Sequence, residues 1–161
     1  MTADFSAFYD REAPRLVRSL SLAIGQPALA EEAVAEAFAR AWSRWPQVRA
    51  YERPVGWVAR VALNESRSHF RRQRLERRTA HALARADVVP GPEPPASYLW
   101  QAVARLPTRE RTLIALRYVA DLPQAEIGEV LGLPAGTVAS GLHRARMRLG
   151  EALGSHEEEL T

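Results

Sequence analysis

The sequence predicts an all-α protein: two small helical domains joined by a proline-rich linker, the second ending in a helix-turn-helix. Three observations carry this. Apolar residues recur at three- and four-residue spacing along both halves of the chain, the period of helices packed on one side. Asp87–Ala96 (DVVPGPEPPA) holds four prolines and a glycine in ten residues, which no helix or central strand accepts. Gln124–Leu149 (QAEIGEVLGLPAGTVASGLHRARMRL) reads as two helices about a tight turn. The expected boundaries are 1–79 for the first domain, 80–97 for the linker, 98–150 for the second domain and 151–161 for an acidic tail. A linker so rich in proline is expected to be extended and semi-stiff.

In the first domain Phe5, Phe8, Tyr9, Leu16, Val17, Leu20 and Ile24 line one side of an opening helical region, with an interruption expected at Pro14 and a stop at Gly25. Pro27 suits the first turn of a second helix running to about Trp45. Val34, Phe38, Ala41 and Trp45 form its apolar stripe, and Glu32, Glu36, Arg40 and Arg44 face outward. Pro46 ends it. Pro54 opens a third helix, with Trp57, Val58, Val61 and Ala62 packing inward and Phe70 continuing that face. Its far end changes character: Arg67–Arg78 (RSHFRRQRLERR) holds six arginines and one glutamate. Such a run repels itself unless a polyanion relieves it, so it reads as a nucleic-acid contact rather than only a solvated helix end. Rings nearby would reach unstacked bases.

The second domain begins near Ser97. Leu99, Val103 and Leu106 form a first short stripe, Thr108 is expected to cap the next helix, and a turn follows at Asp121–Pro123. In the terminal pair, Ile127, Val130 and Leu131 face inward from the first helix. Gly132 permits a left-handed stop, and Pro134 fits the start of the next helix. Val138, Leu142, Ala145 and Leu149 form the buried stripe of the last helix, leaving Thr137, Ser140, His143, Arg144, Arg146 and Arg148 for solvent or DNA. An ordinary bundle corner would share the pattern.

Composition narrows the function. All 22 basic residues are arginine. The net charge of +3 conceals +5 over residues 1–78 (14 Arg against 9 acids), +3 over 105–148 (7 against 4), −1 across the connecting stretch and −4 in the tail. Two basic bodies about a near-neutral connector suit a polyanion. There is no cysteine, hence no disulfide framework and no zinc finger. No apolar run approaches a membrane span, and the N-terminal residues lack a signal-peptide pattern, so a cytoplasmic protein without membrane insertion is expected. His69, His81, His143 and His156 are mutually isolated, and phosphate or solvent contacts are expected of His69 and His143. HExxH, a phosphate-binding glycine loop and a nucleophile elbow are all missing. No catalytic residue, metal or cofactor is expected, and the chain does not read as an enzyme.

In the order of these motifs, from about Phe5 to Leu149, the chain resembles the extracytoplasmic-function (group 4) sigma factors of the sigma-70 superfamily, and within them the short actinobacterial SigE-like subgroup. The resemblance implies a non-catalytic initiation subunit that brings core RNA polymerase to promoters. Its partners would be the β′ clamp helices and the β flap, promoter DNA both as duplex and as melted non-template strand, and an anti-sigma factor. Leu29–Trp42 (LAEEAVAEAFARAW) matches the core-docking segment, which places Glu32, Glu36, Phe38 and Trp42 in it, with Phe38 read as core of its own domain. Pro46–Arg53 and the helix through Asn64 match the −10 reader that captures a flipped base. Trp57, Arg60 and Asn64 fit its pattern, and Arg67, Arg71, Arg72 and Arg74 then fall on DNA backbone. The last helix matches the −35 reader through Thr137 and Ser140, with His143, Arg144, Arg146 and Arg148 on phosphates.

Departures from the family pattern are Glu32 for Asp, Ala35 for Gln, Ser68 for Asp, Gly128 for Ala, Ala139 for Lys and Gly141 for Arg. The last pair implies weaker or different base readout at −35, since an arginine there would be a DNA contact. The competing reading is a stand-alone helix-turn-helix regulator acting on duplex DNA without polymerase. Against it stand Trp42, Trp45 and Trp57, expected to cluster beside the arginine run. A helical adaptor or anti-sigma-type protein would explain the helices but not two basic faces.

Overall fold

The computed structural model describes residues 2–80 and 97–159, all of them helix or short connection. The linker expected at 80–97 falls almost wholly outside these residues, as does His81. The first domain consists of α1 (Thr2–Ile24), α2 (Pro27–Ser43), the short α3 (Trp45–Val48) and α4 (Pro54–Ala80). Pro14 does not interrupt α1. A mid-helix proline removes one N–H and crowds the carbonyl four residues back. Here Pro14 lies on the exposed side while Ala13 and Leu16 are buried, so packing on either side keeps the helix continuous. Gly25 ends α1 at φ 75°, donating to Ser21 O at 2.9 Å. α2 stops at Ser43, slightly before the expected Trp45, and Trp45 opens α3 with Pro46 in its first turn.

The second domain holds α5 (Tyr98–Ala104), α6 (Thr108–Ile114), α7 (Gln124–Leu131) and α8 (Ala135–Glu159). Ser97 caps α5 by accepting from Trp100 N at 3.3 Å. Thr108 is the first residue of α6 rather than its cap, which is Pro107, and its carbonyl instead accepts from Thr112 Oγ1 at 2.8 Å. α6 widens into a π-helical turn, Ala115–Val119, closed by Ala120 N to Ala115 O at 3.1 Å and Leu122 N to Leu116 O at 3.0 Å. Gly132 is left-handed at φ 66°, and the Pro134 carbonyl accepts from Thr137 and Val138 at the start of α8. Leu113, Leu116, Leu122, Ile127, Val138 and Leu142 are fully buried, each contributing about 1.5–3 kcal/mol of burial. α8 continues to Glu159, through what reads in the sequence as a tail. Tyr98 Oη donates to Ala152 O at 3.0 Å and its ring stacks on His156.

The two domains pack on each other, which the sequence does not reveal. α1 lies against α6 and the π-helical turn, and α4 against α7. Buried Ser19 donates from Oγ to Ala115 O at 2.9 Å. Arg111 on α6 closes the C-terminal end of α1 from the other domain, giving Ala23 O two hydrogen bonds of 3.1 and 3.0 Å. Such a bond satisfies a helix-end carbonyl with a charged donor, the stronger kind of hydrogen bond.

Candidate nucleic-acid interface

α4 carries Trp57, Arg60, Asn64, Arg67, Arg71 and Arg74 at alternating spacings of three and four, which a helix turns into one stripe. Trp57 is half-buried and the others are exposed. With Tyr51 and Arg53 from the preceding loop, Trp57, Arg60 and Asn64 line a cleft of about 820 Å³. Its opposite wall is Pro123, Ala125, Glu126, Glu129 and Val130, the start of α7 and its own helix face. Arg67, Arg71 and Arg74 line a second cleft, with Ile24 and Phe70 at its apolar side and Arg109 and Arg111 across it.

Arg72 is separated from this set. It lies about 100° around the helix from Arg71 and lines a groove with Glu32, Glu36, Glu65 and His69 between α2 and α4. The backbone-contact role that sequence reasoning gave Arg72, and the phosphate contact expected of His69, therefore do not share a surface with Arg71. The tryptophans are also divided. Trp42 and Trp45 sit with Phe5 and Phe8 at ring separations of 5.0–5.1 Å on the α1–α2 side, and Trp57 alone borders the arginine stripe. The expected cluster does not form, because residues 42–45 and 57 emerge on different helices and different sides of the core.

On α2, Glu32 and Glu36 are exposed along the groove toward α4, while Trp42, 45% exposed, lies on the face turned to α1. Phe38, at 2% exposure, supports that face from inside the core and is not available to a partner. Arg40 ties Glu36 (2.9 Å) to Glu65 of α4 (2.6 Å), fixing α2 on α4.

On α8, Val138, Gly141, Leu142 and Ala145 are buried, and Ser140, His143 and Met147 occupy the middle of the opposite face. Thr137 is half-buried at its edge, its carbonyl accepting from Ser140 Oγ at 3.3 Å. The arginines flank this face and are held. Arg148 and Arg144 approach Glu110 of α6 at 3.0 and 3.9 Å, and Arg146 donates to Tyr118 Oη at 2.8 Å. Gly141 is not a DNA-facing position. A Cβ there would lie 2.5 Å from Leu113 Cδ1 in the core, so an arginine contact is lost for reasons of packing rather than readout. Gly128 likewise allows the Leu133 carbonyl to approach α7.

Sequence reasoning missed Glu126, Glu110, Arg53 and Met147. Met147 follows Ser140 by two turns, so the helical period could have found it; the pairings of the other three are long-range and carry no local signal. Burial raises the Glu126 carboxyl above the usual carboxylate range, Arg53 opposes the shift, and Glu129 and Glu52 add to it. Among the described residues no helix is long and apolar enough to cross a membrane.

Residues 8–76 match the family described as Sigma-70 region 2, and residues 96–149 the family described as Sigma-70, region 4. The chain is 28% identical over 156 residues to the RNA polymerase sigma-E factor of Streptomyces avermitilis, covering 96% of this chain and 87% of that one. It is 29% identical over 140 residues to the ECF RNA polymerase sigma factor SigW of Bacillus subtilis, covering 77% and 75%. Two solved structures share the fold. The sigma factor RpoE of Bartonella quintana, in complex with the anti-sigma factor NepR, superposes with a TM-score of 0.75 at 22% identity over 94% of this chain and 97% of that one. CnrH, in complex with the cytosolic domain of CnrY, gives 0.62 at 22% identity over 96% and 90%.

Proposed function

The chain belongs to the sigma-70 family, as an extracytoplasmic-function sigma factor, and we propose that it divides promoter recognition between the two faces just described. As a sigma factor it directs RNA polymerase to promoters and catalyses nothing itself. The first domain (1–79) would dock on the β′ clamp helices through α2, with Glu32, Glu36 and Trp42 as contacts. The stripe of α4 would read the −10 element: Trp57, Arg60 and Asn64 at the flipped base of the melted non-template strand, and Arg67, Arg71 and Arg74 on backbone phosphates. The second domain (98–150), positioned by the β flap, would set Thr137, Ser140, His143 and Met147 into the major groove at −35, flanked by Arg144, Arg146 and Arg148 on phosphates.

The observation that carries this division is the alignment of a half-buried ring, an amide and four arginines on one face of α4, while exposed acids and an exposed tryptophan stand on a separate helix, α2. A nucleic-acid reader needs the first and a protein dock the second. Because a sigma factor of this fold is solved with the anti-sigma factor NepR, an anti-sigma factor is proposed as a further partner. The experiment is titration of core RNA polymerase with the labelled protein. Tight, saturable binding that weakens about tenfold or more in Trp42→Ala, as loss of an aromatic anchor does at an interface, supports the docking face. Binding to promoter duplex with none to core would favour the stand-alone regulator.

A further inference from the structure

We infer that the cleft between α4 and α6 is a binding site for a small polyanion, and that its ligand is a nucleoside di- or triphosphate. The site goes beyond promoter recognition, and only its competition with DNA rests on that reading. The cleft measures about 900 Å³, within the range of sites that enclose a small organic ligand. Arg67, Arg71 and Arg74 enter it from α4, and Arg109 and Arg111 from α6.

These five arginines differ from others of the chain in what faces them. Where arginines elsewhere meet another element they meet a carboxylate: Arg40 meets Glu65, Arg53 meets Glu126, and Arg148 meets Glu110. Among the described residues no Asp or Glu lines this cleft, and none of its five arginines is ion-paired. Like charges from two helices therefore share one cavity, an arrangement that repels itself until an anion bridges it. Arg111 is already fixed there, by two hydrogen bonds to Ala23 O and one of 3.3 Å to Ala104 O. A guanidinium matches phosphate through paired N–H donors, and a donor held in advance has less freedom to lose on binding.

The floor of the cleft decides the rest of the ligand. Ile24, Leu131 and Leu133 lie half-buried along it, together with the ring of Phe70, one helical turn before Arg74. Inorganic phosphate would leave that apolar surface wet. A fatty-acid carboxylate would cover it but offers one charge to five arginines. A nucleoside polyphosphate satisfies both parts, its phosphates on the guanidiniums and its base against Phe70, since any base can stack on an aromatic face. Arg67, Arg71 and Arg74 are also the groups assigned above to −10 backbone phosphates, so ligand and DNA exclude one another.

The test is calorimetric titration of the free full-length protein with GTP, ATP and inorganic tripolyphosphate, in magnesium-free buffer of fixed ionic strength. GTP or ATP should bind saturably at one site, and tripolyphosphate about tenfold more weakly, the scale of one stacked base. Arg109→Ala, at an exposed position outside the promoter contacts, should weaken the nucleotide about tenfold, the scale of one charged hydrogen bond. Arg105→Ala removes the same charge from an exposed position outside the cleft and should change nothing. Phe70→Leu, with helix content checked by circular dichroism, should bring the nucleotide to the level of tripolyphosphate. Equal losses in Arg109→Ala and Arg105→Ala, or no saturable binding below about 1 mM, overturn the site. Equal affinity for nucleotide and tripolyphosphate overturns the nucleoside assignment. GTP or ATP should also displace a labelled random-sequence single strand, and binding of both together overturns the exclusion. The calorimetry involves neither DNA nor polymerase, so its failure leaves the sigma-factor reading standing. An unchanged salt slope of promoter binding in Arg71→Ala strikes the promoter assignment instead and leaves the nucleotide site.

Discussion

Glu110 and Arg148 are paired across the second domain: Glu110, only 7% exposed on α6, holds Oε2 3.0 Å from Arg148 Nε on α8. The alignment is not that of a hydrogen bond, so the attraction is electrostatic. Arg144 lies 3.9 Å from the other carboxyl oxygen. One buried acid thus sets the heading of two arginines on the helix assigned to −35. Glu110→Ala should lower stability by about 1 kcal/mol, the scale of one charged interaction whose partners stay solvated, read by thermal unfolding. No change would mean the pair is incidental.

Arg71 and Arg72 are adjacent in sequence but point to different surfaces, and this separates their effects. Arg71→Ala in the holoenzyme should reduce the salt slope of promoter binding by about one, with little change in sequence preference, because phosphate contacts are sequence-blind. Arg72→Ala should leave that slope alone. Equal slopes for the two variants would contradict the stripe.

Gly141 tests packing against propensity. Gly141→Ala adds about 1 kcal/mol of helix propensity, yet places a methyl 2.5 Å from the fully buried Leu113. Overpacking costs about 1–3 kcal/mol, so the variant should be no more stable than the parent and Gly141→Arg clearly less stable. A more stable Gly141→Arg that also binds −35 DNA more tightly would return this position to the DNA side.

Thr137→Ala/Ser140→Ala should weaken binding to a promoter with its −35 element far more than to one with that element scrambled. Each good base contact discriminates by about 1–3 kcal/mol. Equal losses on both templates would remove these residues from base readout.

Glu126 makes the contact between the domains pH-dependent. Burial raises its carboxyl above the usual carboxylate range, so the packed state binds the proton more tightly and the burial penalty is absent when Glu126 is protonated. The penalty develops as pH rises through the ordinary carboxylate range and is complete above the raised value. Stability should fall across that interval, followed by thermal unfolding, and Glu126→Gln should flatten the curve. An equally steep curve in the variant would assign the titration elsewhere.

Much of the helix order is legible in the sequence because its signals are local. Gly25 and Gly132 take the left-handed stops expected of them, and Pro27 and Pro54 open the helices expected of them. Pro14 misleads for a local reason too: its exposed position makes a mid-helix proline tolerable, and exposure is a property of the packed state. The stripe from Trp57 to Arg74 follows from period alone, though the density of arginine hides that Arg72 lies outside it. The domain contact is invisible beforehand. Ser19 and Ala23 extend an ordinary amphipathic stripe, and Glu126 looks like a solvated acid, because pairings with Ala115, Arg111 and Gly56 span 70 residues or more.

The most direct measurement is run-off transcription by core RNA polymerase on a genomic promoter library, with and without this protein, sequencing the 5′ ends. The account predicts discrete new starts that share −35 and −10 elements, lost with Trp57→Ala/Asn64→Ala while core binding persists. No new starts, with the protein binding the same fragments as duplex in the absence of core, would contradict it.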